Sequence, residues 1–350
     1  MKILVIGNLG YIGPIVCKYL KTTLTNSEIV GLDTGYFSSC ITTNDRLGDT
    51  YCDQQIFKDI RDIDVKICRG FDTLILLSAI SNDPISNNFD KITDEINHLA
   101  LGKLVKDFGA LSDKTIVFAS SCSIYGTAGV ASKKENDNLN PLTAYARSKV
   151  AVEEVLANIK LAPGTIATSL RFATACGMSE RLRLDLVLNS FVASAMINGK
   201  VVVPSNGKSW RPLINIKDMA RAIEWAIARG FRQESPHLVV NVGSNNWNYT
   251  LRQLAEAVVE KISDVELELN QSIQPDKRSY KVNFDLFKKI APDHQPQSSL
   301  DETIYELIKG ITPIKHLIGE DFQSSNLIRL NTIKNHLNTD RLSPQLRWRI

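Results

Sequence analysis

The sequence contains no long hydrophobic run. Its most apolar internal stretch covers residues 74–80, whereas a membrane-spanning helix needs about 20 consecutive apolar residues. At the N-terminus, only five apolar residues precede Gly7, which is too few for the hydrophobic segment of a secretory signal. We therefore expect no membrane contact, no signal peptide and a cytoplasmic location.

An excess of charge of one sign is also missing. The 41 lysines and arginines are nearly balanced by 38 aspartates and glutamates, and they form no basic block. This balance argues against nucleic acid and against an anionic membrane surface as partners. It still allows a few local arginines to bind an anionic small molecule.

The six cysteines are not spaced like metal ligands or disulfide partners. They stand at positions 17, 40, 52, 68, 122 and 176, and no Cys-x-x-Cys pattern occurs. A chain of 350 residues with 43% hydrophobic residues can bury a large core and needs no disulfide support. We expect reduced thiols and no metal site.

Strand-like and helix-like segments alternate along the first half of the chain. Short runs at 2–6, 29–32, 73–77, 115–118 and 165–171 predict buried strands, and helical patterns stand near 11–20, 92–108 and 144–159. This order predicts an α/β fold with a Rossmann-type, doubly wound parallel sheet.

The second half is less regular and predicts a smaller C-terminal lobe. It carries helical patterns near 182–198, 216–229, 251–262, 300–309 and 325–337, and strand patterns at 200–203 and 238–242. We assign residues 1–170 plus 216–243 to the domain that contains the parallel sheet. Residues 171–215 plus 244–350 are assigned to the smaller lobe.

A glycine-rich loop, Gly7-Asn8-Leu9-Gly10-Tyr11-Ile12-Gly13, joins the first strand to the first helix. Glycine permits a tight turn and a close approach to phosphate, and the helix N-terminus offers free N–H groups to a pyrophosphate. Gly13 lets the helix pack closely on the strand. The spacing is not Gly-x-Gly-x-x-Gly, so by itself the loop also fits a purely structural turn.

The position of Asp33 supports a dinucleotide-binding role for the glycine-rich loop. It stands 20 residues after Gly13, at the end of the second predicted strand, where an acid hydrogen-bonds the ribose hydroxyls of an adenine dinucleotide. A carboxylate there repels a 2′-phosphate. The loop and Asp33 together predict NAD rather than NADP as cofactor.

A tyrosine and a lysine open the helix near residue 144. Tyr145 and Lys149 are four positions apart, which places both side chains on one helix face. A phenol is a poor base at neutral pH, but a nearby lysine and an oxidised nicotinamide are both cationic and favour the phenolate. A hydroxyl at the end of the preceding strand, within Ser120-Ser121-Cys122-Ser123, would share the substrate proton with Tyr145.

These features together resemble the extended short-chain dehydrogenase/reductase family, which includes NAD-dependent nucleotide-sugar epimerases, dehydratases and reductases. The resemblance covers nearly the whole chain, with further matches at Asn97 and at the segment from Trp210 to Asp218. It implies catalytic roles for Ser121, Tyr145 and Lys149. The implied cofactor contacts are Gly7, Leu9, Gly10, Tyr11, Ile12, Gly13, Asp33, Asp59, Ile60, Leu77, Ser78, Ala79, Tyr145 and Lys149.

The resemblance also implies where each ligand binds: residues 1–170 plus 216–243 form the NAD-binding Rossmann domain, and residues 171–215 plus 244–350 form the substrate-binding lobe. Arg211 and Arg278 are the candidates to pair with the diphosphate of a nucleotide-diphosphate sugar, since guanidinium matches phosphate oxygens in a bidentate way. Asn189 resembles an asparagine that contacts the substrate in relatives, and Ser81 and Ser123 are further candidate contacts.

Departures from the family pattern narrow the reaction. The sugar 4,6-dehydratases carry Asp-Glu directly after the catalytic hydroxyl, and this sequence has Cys122 and Ser123 there. Related sugar reductases use a cysteine at the position of Ser123. Cys122 is offset by one residue, so its side chain is expected to point away from the site.

The predicted reaction is therefore the oxidation of a secondary sugar hydroxyl, with C4 as the expected position, by hydride transfer. A 4-epimerase and a 4-dehydrogenase or ketoreductase share this first step and stay open, with a 4,6-dehydratase and a non-catalytic NAD-binding regulator as alternatives. The helices near 92–108 and 144–159 resemble those that pair across a two-fold axis in relatives, which predicts a homodimer.

Overall fold

The computed structural model describes residues 1–43, 46–81, 83–129, 131–230, 235–272 and 278–349. Over these residues the strands are β1 (Lys2–Ile6), β2 (Glu28–Asp33), β3 (Gln54–Phe57), β4 (Thr73–Leu76), β5 (Thr115–Ser121), β6 (Ile166–Phe172), β7 (Thr174–Cys176), β8 (Lys200–Pro204), β9 (Trp210–Asn215), β10 (His237–Val242), β11 (Asn248–Thr250) and β12 (Glu266–Asn270).

The α-helices in the same ranges are α1 (Gly13–Thr23), α2 (Val65–Cys68), α3 (Asp83–Asn88), α4 (Asp90–Asp94), α5 (Leu101–Gly109), α6 (Ala144–Asn158), α7 (Val187–Asn198), α8 (Ile216–Ala228), α9 (Leu251–Lys261), α10 (Asp285–Ile290), α11 (Leu300–Ile311), α12 (Lys315–Ile318) and α13 (Arg329–Asn338). A π-helical segment, Glu95–Ala100, connects α4 to α5.

A seven-stranded sheet forms the centre of the fold, with the order β10-β6-β5-β4-β1-β2-β3. Every pairing in it is parallel. The inner strands are apolar because parallel sheets are covered by helices on both faces, and β4 and β6 are buried along their whole length. This confirms the predicted Rossmann-type fold, in which the strand order reverses between β1 and β4.

Two small sheets lie outside the central one. Strand β9 pairs with β7 in parallel and with β11 in antiparallel orientation, and β8 pairs with β12. The sequence interpretation missed β3, β7, β9, β11 and β12, since most are three to five residues long and lack a clear alternation of apolar and polar residues. Strand β9 contains Pro212, a residue that is uncommon inside strands.

Two predicted helices differ from the observed ones. The pattern at 92–108 is one helical path, but its first half contains the π-helical segment around Asn97. The pattern at 182–198 becomes helical only at Val187, because the preceding stretch consists of turns and irregular backbone and the N-cap Leu186 is extended. Arg181 and Arg183 in that stretch turn inward to bind Asp49 and Asp185.

The C-terminal segment packs on the cofactor half of the molecule. Ile333, Leu342 and Leu346 are buried in the same apolar cluster as Leu4 and Val30, which belong to β1 and β2. The boundary drawn at residue 243 placed this segment in the other lobe. Apolar patterning shows that a segment is buried but not which surface buries it, so the sequence could not assign it.

Candidate active site

A cavity of about 820 Å³ opens at the carboxyl ends of the parallel strands, beside the point where the strand order reverses. Ligands bind at this place in open α/β sheets. Its lining includes most of the residues predicted from the sequence: Gly7, Gly10, Tyr11, Ile12, Gly13, Asp33, Asp59, Ile60, Leu77, Ser78, Ala79, Ser81, Ser121, Ser123, Tyr145, Lys149, Arg211 and Arg278.

The glycine loop lies closer to its neighbours than any side chain would permit. Gly7 has a φ of +92°, and a Cβ added there would lie 2.5 Å from the backbone N of Ser78. A Cβ on Gly13 would lie 2.2 Å from the carbonyl oxygen of Asn8. The loop therefore packs closely against its neighbours between β1 and α1. The N-terminus of α1 faces the cavity, where a pyrophosphate would meet free N–H groups.

Asp33 ends β2 with its carboxylate in the cavity wall. The backbone N–H of Leu9 donates to Oδ2 at 3.1 Å and that of Gly35 donates to Oδ1 at 2.7 Å. Burial raises the pKa of Asp33, and these two hydrogen bonds oppose the rise. The Leu9 side chain is buried in the core, so among the predicted cofactor residues Leu9 acts here through its backbone only.

Asp59 and Ile60 follow β3 and face the same end of the cavity. Arg61 donates to the Asp59 carboxylate from Nε at 2.9 Å and from Nη2 at 2.6 Å. Burial acts to raise the pKa of Asp59, but the hydrogen bonds and charge of Arg61 outweigh it and the pKa is lowered. The group stays ionised and can accept a hydrogen bond from an adenine amino group.

The end of β4 forms the middle of the wall and is held by an asparagine. Asn97, in the π-helical segment, accepts a hydrogen bond from the backbone N–H of Ile80 at 2.8 Å and donates to its carbonyl at 3.0 Å. The Ser78 hydroxyl on this wall is buried and has no hydrogen-bond partner. A buried orphan hydroxyl costs about 1–3 kcal/mol, so this wall and the glycine cradle fit a bound dinucleotide.

Ser121, Tyr145 and Lys149 line the same cavity. The Lys149 Nζ lies 5.4 Å from the centroid of the Tyr145 ring. The Ser121 hydroxyl donates to the Ser123 hydroxyl at 2.9 Å and accepts from the Ser123 backbone N–H at 3.1 Å. The three predicted catalytic groups thus come from the end of β5 and the first turns of α6, and all three line the cavity.

The buried ammonium of Lys149 is only partly compensated by a negative charge nearby. Its side chain is 2% exposed, and its Nζ donates to the carbonyl of Ala119 at 2.7 Å. Burial lowers the pKa of Lys149 to about 7, against a smaller opposing effect of Glu153. An ammonium in such a place favours an anion beside it, and a Tyr145 phenolate supplies one.

A buried ion pair stabilises the end of β5, the strand that carries Ser121. Arg171 on β6 binds Glu153 at 2.7 Å, and Glu153 also accepts a hydrogen bond from the Ser120 hydroxyl. The thiol of Cys122 donates to the Arg171 carbonyl at 3.1 Å and does not line the cavity. Burial raises the pKa of Cys122, which agrees with the expectation that this thiol points away from the reacting atoms.

Two arginines line the far end of the cavity. Arg211 on β9 is 5% exposed, and its Nη1 donates to the carbonyl of Trp210 at 2.8 Å and to that of Arg278. Its guanidinium lies 5.8 Å from the centroid of the Tyr280 ring. These contacts orient Arg211 and bring Arg278 beside it, in an arrangement that suits a diphosphate.

Comparison with known proteins decides the family. Residues 3–243 match the NAD dependent epimerase/dehydratase family. The chain belongs to this family. The match confirms the family predicted from the sequence, and with it an enzyme that depends on NAD.

Individual epimerase/dehydratase proteins resemble the chain over most of its length. A UDP-glucose 4-epimerase of Streptomyces lividans is 25% identical over 273 residues, which cover 73% of this chain and 80% of that one. The structure of a UDP-glucose 4-epimerase of Thermotoga maritima, with UDP-glucose, has a TM-score of 0.76 at 20% identity and covers 90% of this chain and 100% of that one.

A third similar structure is that of an NAD-dependent NDP-hexosamine 5,6-dehydratase of tunicamycin biosynthesis. Its TM-score is 0.76 at 18% identity, and the match covers 89% of this chain and 98% of that one. The two structural matches share the fold with this epimerase/dehydratase and differ in reaction. The reaction therefore has to be argued from the residues of the site.

Asn189 of this epimerase/dehydratase is placed apart from the other predicted substrate residues. It does not line the cavity, and it is fully buried. Its Oδ1 accepts from the Gly177 backbone N–H, and its Nδ2 donates to the Tyr11 hydroxyl and to the Arg183 carbonyl, each at 3.0 Å. Since the amide is used inside the protein, Asn189 stabilises the junction between α7 and the glycine loop instead of contacting substrate.

Sequence reasoning missed several cavity residues. Arg183 donates to the Ser81 hydroxyl at 2.8 Å and forms a two-pronged ion pair with Asp185. Arg183 and Asp185 both line the cavity. Their only signal was the pattern Arg-x-Arg-x-Asp at 181–185, which resembled an ordinary helix start. Tyr36, Phe37 and several residues of the C-terminal segment also line the cavity.

No α-helix among the described residues is long and apolar enough to span a bilayer. The same part of the chain contains no cluster of three or more His, Cys, Asp or Glu side chains suited to a metal ion. All six cysteines are free thiols.

Asp33 is expected to set the cofactor preference. Replacing it by Ala together with Thr34→Arg should raise the ratio of NADP to NAD affinity by about 10- to 100-fold, the worth of a hydrogen bond to a charged group. Binding constants from calorimetry on cofactor-free protein measure this ratio. Tighter binding of NADP than of NAD by the unmodified protein would contradict the role of Asp33.

Proposed function

We propose that this chain is an NAD-dependent nucleotide-sugar 4-epimerase. It oxidises the C4 hydroxyl of a nucleotide-diphosphate sugar and returns the hydride to the other face of the 4-keto sugar. One observation supports the proposal: Ser121, Tyr145 and Lys149 line the same cavity as the glycine loop and the pair Arg211 and Arg278. The similarity to UDP-glucose 4-epimerases supports it.

The residues of the chain divide the work of the first step. Tyr145, as phenolate, takes the proton of the C4 hydroxyl, and Ser121 hydrogen-bonds the oxygen as it becomes a carbonyl. Lys149 stabilises the phenolate and holds the nicotinamide ribose. When bound, NAD would supply the hydride acceptor and donor for C4. The diphosphate on Arg211 and Arg278 stays fixed while the 4-keto sugar turns over in the cavity.

The two residues that follow Ser121 argue against a 4,6-dehydratase reaction. Elimination of water needs an acid and a base beside the sugar. The first of the two positions holds Cys122, which is buried against Arg171, and the second holds Ser123, a weak acid with a short side chain. A 4-dehydrogenase or ketoreductase uses the same first step as the epimerase and differs in releasing the oxidised sugar.

Product analysis separates these reactions. The protein, supplied with NAD, is incubated with UDP-glucose, UDP-N-acetylglucosamine and UDP-glucuronic acid in parallel, and the sugars are resolved by proton NMR. A 4-epimerase approaches the same mixture of C4 epimers from either side without net formation of NADH. A stoichiometric rise of NADH absorbance would establish a dehydrogenase, and turnover of no nucleotide sugar would overturn the proposal.

The roles proposed for the residues of the site also divide the chain into two lobes. We propose residues 1–170 plus 216–243 as the cofactor domain and 171–215 plus 244–350 as the substrate lobe. Within that lobe, Ile333, Leu342 and Leu346 pack against the strands of the cofactor domain. The free thiols fit a reducing, cytoplasmic compartment.

We also propose a homodimer formed by the helical path from α4 to α5 and by α6. Leu99 on this path is 55% exposed, which leaves an apolar side chain for a partner subunit to cover. We expect a dimer mass by light scattering at micromolar concentration, and Leu99→Glu should shift it toward the monomer. A monomer mass for the unmodified protein would refute this assignment.

A further inference from the structure

The C-terminal segment, residues 321–349, borders the end of the cavity that we assign to the cofactor. Ile328, Arg329, Leu330, Asn331 and Ile333 line the same cavity as Asp33 and the residues after it. The chain therefore returns from the substrate lobe to complete the wall beside the carboxyl ends of β2 and β3.

Specific hydrogen bonds fix this segment in place. The Trp348 indole N–H donates to the carbonyl of Thr34 at 2.6 Å, and the Tyr36 hydroxyl donates to the carbonyl of Leu346. Arg61, which also binds Asp59, donates to the carbonyl of Leu346 at 3.0 Å. The contacts all involve residues that follow β2 or β3, so the position of the segment is tied to the same loops that face the cofactor.

Arg329, at the start of α13, is the charged side chain that this segment brings to the cavity wall. It is 3% exposed, its Nη2 donates to the carbonyl of Arg181 at 2.8 Å, and its guanidinium lies 4.6 Å from the centroid of the Phe37 ring. Its Nη1 is buried and has no hydrogen-bond partner. A buried cation with an unsatisfied donor is costly unless an anion binds there.

Nε of Arg181 is also buried without a hydrogen-bond partner, but the two neighbouring arginines differ from Arg329 in having a carboxylate partner. Arg181 pairs with Asp49 and Arg183 pairs with Asp185, each at 3.0 Å. Within the described residues Arg329 forms no ion pair with a carboxylate. Burial, together with the charges of Arg183 and Arg181, lowers its pKa against opposing effects of Cys40 and Asp185. An anionic ligand in the cavity would compensate the positive charge of Arg329.

The location of Arg329 selects among the anions expected in the cavity. Phe37 comes four residues after Asp33. The stretch that carries Arg181 is tied to the glycine loop, because the Ser179 hydroxyl donates to the Tyr11 carbonyl at 2.6 Å. The phosphate group expected beside that loop is the cofactor pyrophosphate at the N-terminus of α1. The substrate diphosphate has Arg211 and Arg278 at the other end.

We infer that Arg329 binds the pyrophosphate of NAD and that the C-terminal segment is part of the cofactor site. NAD would then contact residues from both ends of the chain. The inference rests on the NAD site of the proposed function and not on whether the reaction is an epimerisation or a dehydrogenation.

The test compares Arg329→Met with Arg349→Met. Arg349 lies in the same segment, is exposed and pairs with Asp340 at 3.2 Å, so it controls for the loss of one positive charge. Calorimetry on cofactor-free protein measures the affinities for NAD, for ADP-ribose, for adenosine and for UDP. We expect Arg329→Met to weaken NAD and ADP-ribose binding by about 10- to 100-fold. Adenosine, which has no phosphate, and UDP should change by less than about twofold.

Other outcomes overturn the inference in distinct ways. Equal loss for adenosine and ADP-ribose would mean that the variant disturbs the pocket as a whole. A larger loss for UDP would assign Arg329 to the substrate, and unchanged ADP-ribose binding would remove it from the site. Arg329→Lys, which keeps the charge, should recover part of the affinity and serves if the Met variant does not fold. These binding constants need no turnover, so they stand even if no nucleotide sugar is converted.

Discussion

Tyr145→Phe is expected to lower kcat by ~10²–10⁴-fold, the usual contribution of a positioned acid–base group. The change removes one hydroxyl from the first turn of α6 and leaves the ring that faces Lys149 in place. The fold and the affinity for NAD should therefore stay close to those of the unmodified protein. Steady-state kinetics with a converted nucleotide sugar, and calorimetry with NAD, measure the two effects separately.

Two controls sharpen the result for Tyr145. Tyr305 is 56% exposed on α11, and Tyr305→Phe should leave kcat unchanged. Ser121→Ala should lower kcat less than Tyr145→Phe, because it removes a hydrogen bond to the substrate oxygen and leaves the base. Near-normal turnover by Tyr145→Phe would mean that the tyrosine is a packing residue, and the proposed mechanism would be lost while NAD binding stood.

Lys149→Met is expected to increase the stability of the cofactor-free protein while it lowers activity by at least about 10²-fold. In the folded protein burial lowers the pKa of Lys149 to about 7, compared with 10.5 for an unhindered lysine. The unfolded chain therefore binds more protons between these two pH values, and the stability of the unmodified protein rises with pH across that range. Below pH 7 the full penalty remains, which is about 5 kcal/mol at most.

Methionine has a similar length and carries no charge, so it escapes this penalty. We expect the gain in unfolding free energy to be a few kcal/mol near pH 7 and to shrink toward zero near the pKa of free lysine. Denaturant melts at several pH values measure the gain, with Lys106→Met as control because Lys106 is exposed on α5. A gain that is absent or independent of pH would show that the ammonium is compensated within the fold.

The same variant should also bind NAD more weakly and shift the pH–rate profile to higher pH. Both follow if Lys149 holds the nicotinamide ribose and stabilises the Tyr145 phenolate. A lysine that only fills space would give the stability gain without these two effects. The pair of readouts thus separates catalysis from packing at this position.

Much of the cofactor site could be predicted from local sequence. The glycine loop and Asp33 are close in the sequence to the strands that position them, and a strand followed by a helix fixes their geometry. Tyr145 and Lys149 are on one helix face for the same reason. Asn189 shows the limit of this reasoning, because its motif matched relatives while its amide is consumed by Tyr11, Gly177 and Arg183.

The sequence by itself determined the parallel sheet, the dinucleotide loop and the composition of the catalytic wall, since each depends on residues within one strand–loop–helix unit. Only the tertiary structure decided that Arg183 and Asp185 join that wall and that Arg329 reaches the cofactor end. These residues come from segments far apart in the chain, and their positions depend on which apolar surfaces meet. Apolar periodicity predicts that a surface is buried, whereas the choice of its partner is made by the packing of the whole chain.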